Sequence, residues 1–134
     1  MIQTFLLSFV LVGYGEAQWV QHPASVTQNL YSINFATKDV GFASGWNEFG
    51  SVVLRTTNGG SAWHQTLVDS MLIFGIHSLT DKHIFIAGYD TRYGYSAILE
   101  TTDGGYEWQE RYIPECFGFY AFAFPSSTTG YVCG

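Results

Sequence analysis

Thr56-Thr57-Asn58-Gly59-Gly60-Ser61-Ala62-Trp63 returns as Thr101-Thr102-Asp103-Gly104-Gly105-Tyr106-Glu107-Trp108, and this repetition decides the fold. The two tryptophans stand 45 residues apart. Stepping back 44 residues from Trp63 reaches Trp19, where Trp19-Val20-Gln21 answers Trp63-His64-Gln65. A second landmark recurs with a similar spacing, its closing glycines 43 and 46 residues apart. It reads Gly41-Phe42-Ala43-Ser44-Gly45, then Ile84-Phe85-Ile86-Ala87-Gly88, then Gly130-Tyr131-Val132-Cys133-Gly134. Landmarks returning at a fixed step of this size mark stacked supersecondary units.

Within each unit, turn residues separate four short segments. The first unit predicts strands over Leu30–Phe35, Val40–Trp46, Ser51–Thr56 and Ala62–Leu67. The second predicts them over Ile73–Ser78, His83–Tyr89, Ser96–Thr101 and Trp108–Tyr112. Leu30, Ser32 and Asn34 alternate with Tyr31, Ile33 and Phe35, the period of a strand with two unlike faces. Four strands in some 40–45 residues is the size of one propeller blade. A β-sandwich also uses short strands, but it does not return a motif at fixed spacing. The expectation is therefore all-β: a β-propeller fragment of four-stranded antiparallel blades, two complete and two partial. Residues 18–25 would be a closing strand, 30–68 and 73–112 two blades, and 119–134 the start of another.

The octapeptide has the chemistry of a tight hairpin. Gly59, Gly60, Gly104 and Gly105 can adopt positive φ without steric cost. Asn58 and Asp103 can accept hydrogen bonds from backbone N–H groups inside the turn, and Thr56 and Thr101 can add a hydroxyl bond. Trp63 and Trp108 supply a large ring to cover it. Asn58 standing where Asp103 stands keeps the turn and discards the acid, so a structural role is expected for Asp103, not a catalytic one. The glycines likewise read as turn residues and not as a phosphate loop.

Thr56-x-Asn58-x-Gly60-x-x-Trp63 and Thr101-x-Asp103-x-Gly105-x-x-Trp108 resemble the Asp-box, Ser/Thr-x-Asp-x-Gly-x-x-Trp. Together with the Gly-aromatic-x-x-Gly segment, they make the chain from Trp19 to Gly134 resemble the photosystem II stability/assembly factor-like repeat proteins. That resemblance implies an exported propeller, with the octapeptide hairpins on the face away from the ligand. It also implies that Trp19–Ser25 completes a blade begun by C-terminal strands, and that the whole protein has about 300 residues or more. Sialidases, some glucanases and sorting receptors carry the same motif, so the resemblance leaves function open.

The remaining sequence narrows that choice. The chain has 134 residues, 47% hydrophobic, 18% aromatic and 12% charged, with a net charge of −6. It can build a core and lacks the basic stripe that nucleic acid requires. Phe5–Val12 followed by Gly13, Tyr14 and Gly15-Glu16-Ala17 reads as a signal peptide over residues 1–17, cleaved before Gln18 and leaving no transmembrane segment. Export to the periplasm or beyond follows. Cys116 and Cys133 match no metal spacing and read as two small buried thiols or a bridge. His22, His64, His77 and His83 show no ligand spacing, so no metal and no cofactor are expected.

Ligand-facing loops would be Asn47–Gly50, Asp69–Leu72, Asp90–Tyr95 and Ile113–Gly118. Phe49, Asp90, Arg92, Tyr93, Tyr95 and Phe117 are the candidate contacts, aromatic and arginine residues on a rigid scaffold. Asp69, Asp90 and Glu115 are loop acids in which no glycosidase pair is legible. Arg55, Arg92 and Arg111 do not read as a sialidase triad, since Arg55 and Arg111 fall on outer strands. A protein or polysaccharide partner is the leading expectation. The alternatives are a sialidase-like hydrolase with catalytic residues beyond Gly134, and an adhesin module.

Overall fold

Twelve strands and no helix make up the described residues, which in this computed structural model are 5–10, 18–24, 26–68, 71–114 and 116–134. The first complete sheet contains β3 (Asn29–Phe35), β4 (Gly41–Asn47), β5 (Gly50–Thr56) and β6 (His64–Val68), antiparallel and in that order. The second contains β7 (Met71–Ser78), β8 (Ile84–Asp90), β9 (Tyr95–Thr101) and β10 (Gln109–Ile113), likewise in sequence order. These match the eight strands expected from the repeat to within a few residues. Before them, β1 (Phe5–Val10) pairs with β2 (Gln18–Pro23); after them, β11 (Ala121–Ser126) pairs with β12 (Thr129–Cys133). The predicted cleavage point lies outside the described residues, and the Phe5–Val10 part of the expected leader is β1.

Apolar side chains fasten one sheet to the next. Phe42 and Val53 of the first sheet share a core with Met71, Ile73, Ile76, Ile84, Ile86, Ala97 and Leu99 of the second. Each such aliphatic group taken from water contributes about 2 kcal/mol. On its other face the first sheet buries Ala43, Val52 and Leu54 with Ala24, and with Val26, Leu30 and Trp63 beside them. Polar bonds fix the alignment: the Ser32 hydroxyl accepts from Ile76 N at 3.2 Å, and Asn34 Oδ1 accepts from Ser78 N at 3.0 Å.

Both octapeptides fold as the residue types require. Thr101 Oγ1 accepts from Gly105 N at 3.1 Å and donates to Asp103 Oδ1 at 2.7 Å. Asp103 Oδ1 accepts from Tyr106 N and Glu107 N at 2.9 and 3.1 Å. Gly104 and Gly105 take φ of 86° and 97°, a region that disfavours any residue with a Cβ. Thr56 and Asn58 repeat the pattern, with Gly60 N to Thr56 Oγ1 at 2.9 Å and Ala62 N to Asn58 Oδ1 at 2.8 Å. Each turn is tied to the neighbouring hairpin of its own sheet, through Gly59 N to Asp39 O and Gly104 N to Lys82 O.

Thr101→Val is expected to cost about 2 kcal/mol in urea denaturation, because it strands the buried Gly105 N–H. The hydrogen bond from Thr101, then that from the Glu107 N–H, holds the Asp103 carboxyl below its usual range. A depressed folded pKa stabilises fully above about pH 4, and the gain is lost as pH falls through the folded value. Asp103→Asn is expected to remove that part of the acid sensitivity while keeping the turn, as Asn58 does.

The alternation expected over Leu30–Phe35 is present: Leu30, Ser32 and Asn34 are half-buried, and Tyr31, Ile33 and Phe35 are exposed. The ladder with β4 carries a bulge between Leu30 and Ser32, with its counterpart between Ile73 and Gly75. One expectation needs correction. The cysteines are free and not deeply buried: Cys116 is half-buried and Cys133 exposed.

Candidate partner-binding face

The antiparallel registers sort the loops onto two ends. Asn29 pairs with Trp46, and Asn47 with Gly50, so the start of β3, the end of β4 and the start of β5 share one end. In the second sheet, Met71 pairs with Asp90, Asp90 with Tyr95, and Ile113 with Ser96, at the equivalent end. The octapeptide turns lie at the opposite end, after Thr56 and Thr101. The first end, here called the upper face, therefore carries the loops Asn47–Gly50 and Asp90–Tyr95 and the connection from Ile113 to Ala121.

Each of these loops is braced from within. Asn47 Oδ1 accepts from Phe49 N at 2.9 Å while its amide donates to Thr27 O at 3.3 Å, which leaves the Phe49 ring 82% exposed. Ser96 clamps the connection: its hydroxyl donates to Cys116 O at 3.0 Å and accepts from Gly118 N at 2.6 Å. Between those anchors Phe117 projects, 78% exposed. Neither phenylalanine is packed between sheets, and both stand where a partner could reach them.

Asp90 corrects the sequence reading. Expected among the contacts, it is fully buried. Its Oδ1 accepts from Arg92 N at 2.7 Å, and its Oδ2 accepts from Arg92 Nη2 at 2.6 Å. Burial works to raise its pKa, yet the side-chain and backbone hydrogen bonds from Arg92 outweigh it and hold the carboxyl below the usual range. Asp90 is thus a positioning residue. The Arg92 guanidinium also reaches Glu110 at 3.3 Å and covers the Tyr93 ring at 5.4 Å. Its hydrogen bonds to Asp90 raise an already high pKa, so it is a permanent cation.

Around Arg92 three tyrosines interlock. Tyr93 stacks on Tyr95 with centroids 5.9 Å apart, and Tyr112 meets them edge-on at 5.1 and 5.3 Å. The Tyr112 hydroxyl donates to Glu110 Oε2 at 2.6 Å, which raises its pKa and keeps the phenol neutral. Tyr93 and Tyr112 remain exposed, whereas Tyr95 is half-buried beneath them.

A second aromatic group escaped the sequence reading. The bulges place Tyr31 and Phe74 at matching positions near the starts of β3 and β7, and Tyr120 precedes β11 likewise. Tyr31 stacks on Trp46 at 5.5 Å, Trp46 meets Phe74 edge-on at 5.9 Å, and Phe74 lies 4.9 Å from Tyr120. The result is an aromatic arc running across three successive sheets. Tyr31 and Tyr120 are about half exposed along it. A signal was present in the sequence: Tyr31-Ser32-Ile33, Phe74-Gly75-Ile76 and Tyr120-Ala121-Phe122 recur near the repeat step.

One solved structure, described as YCF48 bound to D1 peptide, superposes on this chain with a TM-score of 0.67. The match covers 92% of this chain at 17% sequence identity. The chain has the fold of a β-propeller fragment. It spans 38% of that longer chain. No protein-family model and no curated protein matches it.

In propeller terms the two sheets are complete blades, β3 and β7 are their inner strands, and the arc follows the inner strands around the upper face. The three arginines lie apart in function. Arg92 is held by Asp90 and Glu110, Arg111 of β10 pairs with Glu100 at 3.4 Å, and Arg55 has no carboxylate among the described residues. Arg55 is on β5, the third strand of its blade, not the outer one. Asp69 and Glu115 lie outside the described residues. Among the described residues, no three His, Cys, Asp or Glu side chains gather as a metal site would require.

Proposed function

We propose that the chain is part of an exported β-propeller scaffold that binds an extended segment of a protein partner on its upper face. The observation that carries this reading is the arc of Tyr31, Trp46, Phe74 and Tyr120, with the Arg92–tyrosine cluster and exposed Phe49 and Phe117 on the same face. Aromatic and arginine side chains dominate protein-recognition energetics, and those of the arc and of the Arg92–tyrosine cluster are already packed on one another, which lowers the ordering cost of binding. A protein of the same fold bound to a peptide supports the choice of a peptide-like partner. Assembly-factor-like action on that partner, and export by cleavage before Gln18, belong to the same proposal.

The test is a pull-down from the exported fraction with the full-length protein, followed by titration of a captured peptide. Tyr31→Ala combined with Tyr120→Ala is expected to weaken binding at least tenfold, and Thr102→Ala on the opposite face to leave it unchanged. Equal binding by both variants would move the site elsewhere. Turnover of chromogenic glycosides with no captured protein would replace the reading by a hydrolase, and retention on glycan alone would replace it by a polymer-binding adhesin. N-terminal sequencing of the mature protein checks export, and a chain still starting at Met1 rejects it.

A further inference from the structure

Arg55 is a cation without a counter-charge among the described residues. Arg92 and Arg111 are paired with carboxylates, but Arg55 makes no ion pair or hydrogen bond among the described residues. Its Nε is buried without a partner, and its guanidinium lies 5.9 Å over the Phe42 ring. The matching position in the second blade carries the opposite charge and is fully served: Glu100 pairs with His83 Nε2 at 2.7 Å and with Arg111. Half-burying a guanidinium without a carboxylate is costly, and cation–π contact offsets only part of that cost.

The guanidinium opens into a recess between the two blades. Thr57, His64 and Gln65 line it from the first blade, and Gly104, Gly105 and Tyr106 from the Asp-box turn of the second. Residues bearing hydroxyl, imidazole, amide and phenol groups thus line the recess beside Arg55, in a chain whose net charge is −6. Gly104 stands close enough that a Cβ there would lie 3.5 Å from the guanidinium carbon. Planar guanidinium edges select carboxylates and oxyanions.

We propose that this recess is an anion site, taking a carboxylate or a small oxyanion between the blades, separate from the upper face. Arg55 supplies the charge, Tyr106 and Gln65 supply neutral donors, and bound anion ties the Asp-box turn of one blade to the third and outer strands of the other.

The test titrates sodium acetate, and separately sodium sulfate, into the full-length protein at constant ionic strength, with the arginine Nε–Hε resonances observed by NMR. The Arg55 resonance is expected to shift saturably while those of Arg92 and Arg111 stay in place. Saturating anion should also raise Tm by about 3 °C relative to chloride, a gain lost in Arg55→Gln. Tyr106→Phe should weaken binding several-fold. If Arg55→Gln fails to fold, the wild-type resonance decides alone. No saturable shift at Arg55, or equal shifts at all three arginines, overturns the proposal. A glutamate-containing peptide binding more tightly than acetate assigns the carboxylate to a partner side chain; equal binding assigns a free anion.

Discussion

Gly88→Ala is expected to destabilise the protein by about 3 kcal/mol or more, the largest loss among single-methyl additions in the second blade. A Cβ at Gly88 would lie 1.9 Å from the Leu72 carbonyl oxygen and 3.1 Å from the Ile73 Cα. Both are backbone atoms of the strand paired with it, so relief requires β7 to move away from β8. That pair flanks the bulge that presents Phe74, and the arc should be lost along with the stability. Gly41→Ala is the control. The atoms nearest its Cβ belong to the Phe35 ring, from 2.6 Å, and that ring is partly exposed and can swing aside. Urea denaturation of the two variants should separate them clearly; comparable midpoints would mean the bulge is not rigid.

Asp90→Ala is expected to cost about 2 kcal/mol and to abolish the presentation of Arg92. The figure sits below the range for a pair buried on both sides because the Arg92 side chain is 43% exposed. The loss has two parts, the acceptor for Arg92 N and the counter-charge that aims the guanidinium. Partner affinity should fall in the same variant although Asp90 itself is out of reach. Acid gives an independent readout. The folded carboxyl titrates below its unfolded value, so its stabilisation is complete above about pH 4 and disappears as pH falls through the folded pKa. Protection of the Arg92 and Gly94 amides, measured against their intrinsic exchange rates at each pH, should therefore fall on acidification. If those amides are equally protected in Asp90→Ala, the loop is ordered by its tyrosines and not by the carboxylate.

Much of this architecture was legible in the chain. Turn residues are chosen by local conformation, so Gly59, Gly60, Gly104 and Gly105 announce their hairpins without knowledge of the rest of the fold. Strand limits followed from the same punctuation. Side chains whose neighbours come from another strand or blade were harder. Asp90 read as a loop acid, and only its distance to Arg92 and its complete burial reveal that it faces inward. Phe49 and Phe117 were correctly placed in loops, but their projection depends on bonds from Asn47 and Ser96.

The bare sequence determined the repeat, the four-strand unit and the chemistry of its turns, because those depend on residues within a few positions of one another. Tertiary structure decided which side chains share an environment. The arc joins Tyr31, Phe74 and Tyr120 because they stand at matching positions of adjacent sheets, and Arg55 has no carboxylate among the described residues because the blade beside it offers a glycine turn and a tyrosine there. Neither outcome is encoded at one position; each comes from how adjacent blades are packed.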